Sequence, residues 1–169
     1  MKKDKIKINN SGFSLVELIV VVLIMAIIAV ALAPQVMKWV HNSRLASDVQ
    51  TRDTLKEQCE LALTDNAAFN KVKDGGYSIT MTKTGSADPV FTYAEGSGPV
   101  ANPNPNDVYW KSLLEKCGVD DFEQFEKLFT IKSIPDGADI VIKVEVYEEG
   151  FTRASISGGI SSTDEISIS

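Results

Sequence analysis

From Leu18 to Met37 the chain carries no Asp, Glu, Lys or Arg. No other feature limits its fold as strongly. Phe13 to Ala33, 21 residues, would extend about 31 Å as an α-helix, which matches the ~30 Å hydrocarbon core of a bilayer. A buried core helix is the competing assignment, but nothing else in the sequence is apolar enough to surround such a segment. A simple cytosolic globule is also argued against, because an exposed apolar run of this length would aggregate.

Charge is segregated around the run. Lys2, Lys3, Lys5 and Lys7 lie in the first twelve positions, opposed only by Asp4; the remaining chain has 13 basic and 22 acidic residues, a net of −9. A basic leader before an apolar run is an export signal or a membrane anchor. It places the leader on the cytoplasmic side and the acidic body outside. The acidic body argues against a nucleic-acid partner, since phosphate-backbone binding requires a large positive surface.

Two processing schemes are compatible with this layout. An ordinary secretory signal would be cut after the run, where Ala29-Val30-Ala31 and Ala31-Leu32-Ala33 offer small-residue sites. Against it, Glu17 puts a carboxylate inside the apolar region, and Pro34 directly follows the second site. The other scheme cuts before the run, after Gly12, and keeps the run in the mature chain.

The stretch Gly12-Phe13-Ser14-Leu15-Val16-Glu17 favours the second scheme. It resembles the cleavage and methylation signature of type IV prepilins and related pseudopilins, in which a short basic leader also precedes the signature and a long apolar stretch follows it. The resemblance covers residues 1–65. It implies that a prepilin peptidase cuts between Gly12 and Phe13, and that Phe13 becomes an N-methylated terminus. Glu17 would guide assembly by pairing with the Phe13 amine of a neighbouring subunit. Independent physics supports a charge partner for Glu17. A carboxylate in hydrocarbon costs at least ~2.5 kcal/mol, so it needs a cation or a proton. The chain's own Phe13 amine, four residues away, is a second candidate. Pro34 sits where the family commonly has a proline and should kink the helix. The glycine that many relatives carry before it is absent, with Ala26, Ala29, Ala31 and Ala33 as the small residues there.

Beyond Pro34 the helix should continue to about Asn66, for a total length of about 80 Å. Leu45, Val49, Leu55, Cys59, Ala62 and Leu63 form one apolar stripe within about 140° of arc. Asp48, Arg52, Asp53, Lys56, Glu57 and Glu60 supply the polar positions, with Asp48 and Arg52 as an i,i+4 pair. The remainder reads as a compact head. Strands are expected at Tyr77–Thr82 after the Gly75-Gly76 turn, at Val90–Tyr93, at Ile140–Val146, and at Phe151–Ser157 across a hairpin at residues 148–150. Ile166 and Ile168 suggest an edge strand. Residues 95–106 read as an exposed loop. A short helix runs from Asp107 to Lys116, ending at Gly118. A second opens at Asp120 with Glu123 in a capping-box-like arrangement and places Phe122, Phe125, Leu128 and Phe129 on one face.

The expected architecture is therefore α+β: a long N-terminal helix, half transmembrane and half amphipathic, packed on an antiparallel sheet. Its parts are a leader (1–12), a membrane or filament-core segment (13–37) and a head with the helix continuation (38–169). Cys59 and Cys117 are a candidate disulfide, permitted outside the membrane and worth about 4 kcal/mol on the chain-entropy model. Burial as two reduced thiols is the other option. His41 reads as an interfacial polar residue and Trp39 as a membrane-interface anchor; Tyr109 and Trp110 read as head core. No catalytic motif is present. Asn102 to Asn106 space oxygen side chains as calcium loops do, but Asp107 and Leu113 stand where such loops need glycine and an acid. No metal or cofactor is expected.

The resemblance implies a structural subunit, not an enzyme. It would polymerise through its N-terminal helices into a pilus serving adhesion, surface motility or biofilm formation. Its partners would be copies of itself, the prepilin peptidase and methylase, the assembly platform and the cytoplasmic membrane. Alternatives are a pseudopilin of a secretion or DNA-uptake machine, or a secreted or anchored binding protein with a similar leader.

Overall fold

The computed structural model describes residues 14–96, 98–134 and 139–158. Gly12, Phe13 and the strand expected at Ile166 and Ile168 lie outside the described residues. The chain divides into two compact units, Met1–Val40 and His41–Ser169. Helix α1 (Leu15–Ala62) contributes to both and remains helical through Pro34.

The second unit is α2 (Asn66–Val72), β1 (Tyr77–Lys83), β2 (Val90–Glu95), β3 (Gly98–Val100), α3 (Val108–Cys117), α4 (Phe122–Leu128), β4 (Ile140–Val146) and β5 (Thr152–Ser157). The strands form one antiparallel sheet in the order β3-β2-β1-β4-β5. Strict alternation gives the sheet one apolar face. Tyr77, Ile79 and Met81 of β1 and Ile140, Ile142, Val144 and Val146 of β4 are buried, while the residues between them are not. Leu55, Cys59 and Ala62 of α1, Ala68 and Val72 of α2, Tyr109, Trp110 and Leu113 of α3, and Phe125 of α4 complete the same core. A long N-terminal apolar helix followed by a five-stranded antiparallel sheet, with four helices among the described residues, is an α+β, pilin-like fold.

Several boundaries differ from the sequence expectation, each for a local reason. α1 stops at Ala62 instead of near Asn66. Leu63, Thr64 and Asp65 donate to carbonyls three residues back, which tightens the last turn. The Thr64 hydroxyl takes Leu61 O at 2.7 Å, and Ser112 Oγ of α3 takes Ala62 O at 3.0 Å. Asp65 then caps α2 through the Ala67 N–H. The segment expected as loop contains β3, where Pro99 sits on an edge strand that does not need its missing donor. Asp121, not Asp120, caps α4, through the Gln124 N–H at 2.8 Å. Glu123 instead pairs with Lys127 at 2.7 Å.

Gly118 ends α3 in the left-handed region, at φ 72°, with its N–H on Glu115 O and the Val119 N–H on Leu114 O. Only glycine takes that φ without a Cβ penalty. Gly118→Ala is expected to cost about 1 kcal/mol, read as a lower urea midpoint with an unchanged slope.

Candidate functional site

The first unit presents an apolar surface with almost nothing covering it. Leu15 is 74% exposed, Val30 77% and Met37 73%. Among the described residues α1 is the one helix long and apolar enough to cross a membrane, and none of its most apolar window is buried. Trp39, just past the run, is 64% exposed.

Glu17 is the acid in the first turn of α1. Its Oε2 accepts the Ser14 N–H at 2.9 Å. Ser14-x-x-Glu17 thus places a carboxylate back on the N-cap amide, one half of a capping box. The Ser14-x-x-Glu17 spacing is the local signal for this second role of Glu17, beside the assembly role that the resemblance implies. One carboxylate oxygen is thus held within its own chain.

In the second unit Asp53, Glu57 and Glu60 of α1 are exposed as expected, and Asp48 is the exception. Asp48 is fully buried. Its Oδ1 accepts the Lys132 N–H at 2.6 Å and its Oδ2 the Ser133 N–H at 3.0 Å. Arg52 pairs with Asp53 at 2.7 Å instead of with Asp48. The signal was available. Leu45, Asp48, Arg52, Leu55, Cys59 and Ala62 follow alternating three- and four-residue steps, the spacing of one helix seam. A charge on a seam must find a buried partner.

Cys59 and Cys117 are free thiols in this structure, so the candidate disulfide is not formed here. Cys59 is 1% exposed within the core, and Cys117 packs against the same cluster. Burial pushes the Cys59 thiol up from 9.0 to about 12, the adjacent Tyr109 side chain opposing that shift. Burial also raises Cys117, to about 11. In the unfolded chain thiols ionise near their ordinary value. The buried thiols therefore favour the folded state below that value, and the contribution is lost as pH rises toward their folded values. Head stability is expected to fall as pH rises from 9.0 toward about 12, with a shallower fall in Cys59→Ala, measured by urea midpoints. Iodoacetamide at neutral pH should leave Cys59 unmodified until denaturant is added. A mass two hydrogens lighter, with no adduct after denaturation, would instead show a bridge.

A depression of about 550 Å³ lies on the outer face of the sheet and is lined in part by Ser78, Ala94, Pro99, Lys143 and Glu145. The Lys143 ammonium, bonded to Glu145, holds that carboxyl below its usual range, and partial burial opposes it. Among the described residues no cluster of His, Cys, Asp or Glu has metal-site geometry. Asn102, Asn104 and Asn106 are exposed, and Asp107 instead caps α3 through the Tyr109 N–H.

Fold and stalk together define a class: a pilin-like α+β protein whose N-terminal helix presents an uncovered apolar surface. The family model described as the prokaryotic N-terminal methylation motif matches residues 7–33, the type IV prepilin signal. The chain therefore carries that signal ahead of a membrane-length helix, which supports a type IV pilin-like or pseudopilin protein and points to a structural role. No solved structure matches the chain.

Proposed function

We propose that this chain is the structural subunit of a type IV pilus and not an enzyme. A prepilin peptidase cuts it between Gly12 and Phe13, and Phe13 is N-methylated. The precursor sits in the cytoplasmic membrane with its leader inside. The assembly platform then draws it into a helical extracellular filament used in adhesion, surface motility or biofilm formation. The observation that carries this is the combination of the methylation motif at residues 7–33 with an α1 whose apolar residues are exposed from Leu15 to Val40. Such a surface has to be covered by lipid before assembly and by other copies afterwards. Burying it against identical helices supplies the free energy of assembly, and contacts that do not close on themselves give an open helix. Glu17 sets the register by pairing with a neighbour's Phe13 ammonium. Pro34 is the point at which α1 bends. Leader, stalk and head (1–12, 13–37, 38–169) are the functional divisions.

The test is intact mass and terminal sequencing of protein recovered from outside the producing cell. A chain starting at Phe13, with one methyl group on its amine, is the expected result. A chain starting at Leu32 or Pro34 would mean that the stalk is discarded, and the filament assignment would fall.

A further inference from the structure

Upstream of Leu45 no described side chain of α1 is buried. Leu45 is the first, and the next apolar one is Leu55. Between them the helix is held chiefly by polar bonds. Asp48 takes the N–H groups of Lys132 and Ser133. Thr51 Oγ1 shares its one proton between Ser47 O at 3.1 Å and Thr130 O at 3.3 Å. From the other side, Lys83 Nζ on β1 donates to Ile131 O. Residues 130–133 are thus tied, one after another, to α1 or β1. Phe129 and Ile131, 5% and 1% exposed, enter the core from this segment.

We propose that the Asp48 clasp sets the point on α1 at which the helix becomes part of the head. It acts as a stop that keeps bending or unwinding of the helix before Leu45 from reaching the core. Apolar contacts alone would let a helix fray turn by turn, and without the clasp Leu45 would be the one buried anchor ahead of Leu55. A buried carboxylate on two amides resists graded loss. Leaving the site strands the buried N–H of Ser133 and the part-buried N–H of Lys132 at once, so release is cooperative. Segments 45–54 and 130–133 should therefore open as one unit. The inference does not depend on the filament assignment, since it concerns the single folded chain.

Hydrogen exchange on the full chain in detergent micelles tests it. In the wild-type chain, protection should step up sharply at Leu45 to Asp48. In Asp48→Ala, segments 45–54 and 130–133 should exchange together, faster by about 30-fold or more. The loosening should stop at Leu55 and leave β1 and β4 unchanged. Asp48→Asn, with one acceptor oxygen left, should fall between. Thr51→Val is the milder variant should Asp48→Ala fail to fold, and should speed the same two segments by about 3-fold. Three results would overturn the proposal: no step in the wild-type chain, loosening of 130–133 with 45–54 unaffected, or uniform acceleration across the head.

Discussion

Glu17→Ala is expected to abolish filaments while leaving the head folded and the chain processed. On the assembly proposal, the substitution leaves each neighbour's Phe13 ammonium in an apolar bundle without its counter-charge. Removing one partner of a buried pair costs about 3–5 kcal/mol, which is roughly two to four orders of magnitude in a contact equilibrium. That cost recurs at every subunit. The same change removes the bond from the Ser14 N–H, but losing half a capping box at an exposed helix start costs only ~1 kcal/mol. Sheared extracellular filament, measured by immunoblot and negative-stain imaging, should disappear, while circular dichroism of the purified chain stays unchanged. Glu17→Gln should fail in the same way, because it keeps the shape and loses the charge. Wild-type filament yield from either variant would remove Glu17 from assembly.

The second large effect is at Trp110. It is fully buried and is met nearly edge-on by Tyr77, Tyr93 and Phe122, with ring centroids 5.1, 5.7 and 5.7 Å away. Its Nε1–H donates to Glu95 Oε1 at 2.5 Å. One side chain therefore joins α3, α4, β1 and β2. Trp110→Ala should cost about 4 kcal/mol, a large part of the 5–15 kcal/mol that typically separates folded from unfolded states. The expected drop in Tm is about 10–20 °C, followed by near-ultraviolet circular dichroism of the full chain. Trp110→Phe keeps much of the packing and should lose about half as much, the remainder reflecting a Glu95 carboxylate without its donor. A drop of only a few degrees for Trp110→Ala would mean that the aromatic cluster is not the keystone of the head.

Much of the fold was legible because its signals are local. The exposed apolar run is a matter of composition. The alternation of Tyr77-Ser78-Ile79-Thr80-Met81 and of Ile140 through Val146 is a period-two pattern, and both are strands with one buried face. Asp107 and Gly118 bracket α3 as cap residues do. The misses share a cause. Asp48 was placed in solvent, but the groups that satisfy it, the amides of Lys132 and Ser133, lie 84 and 85 residues away in sequence. β3 was assigned to loop because its Gly-Pro-Val sequence has no strand propensity of its own. It exists because Tyr93 and Ala94 offer an edge to pair with. The early end of α1 depends partly on a hydroxyl from α3.

Sequence alone determined that an acidic body follows an apolar stalk with a charged signature at its start. Length, hydropathy and a fixed motif are properties of contiguous residues, and they need no partner. The tertiary structure decided the strand order, with β1 in the middle pairing to β4 across more than fifty residues. It decided that Asp48 is a buried fastener and not a surface charge. It also decided that the two cysteines meet at one core. Each of these turns on which distant group satisfies a hydrogen bond or fills a space. The free energy of that choice belongs to pairs that only folding brings together.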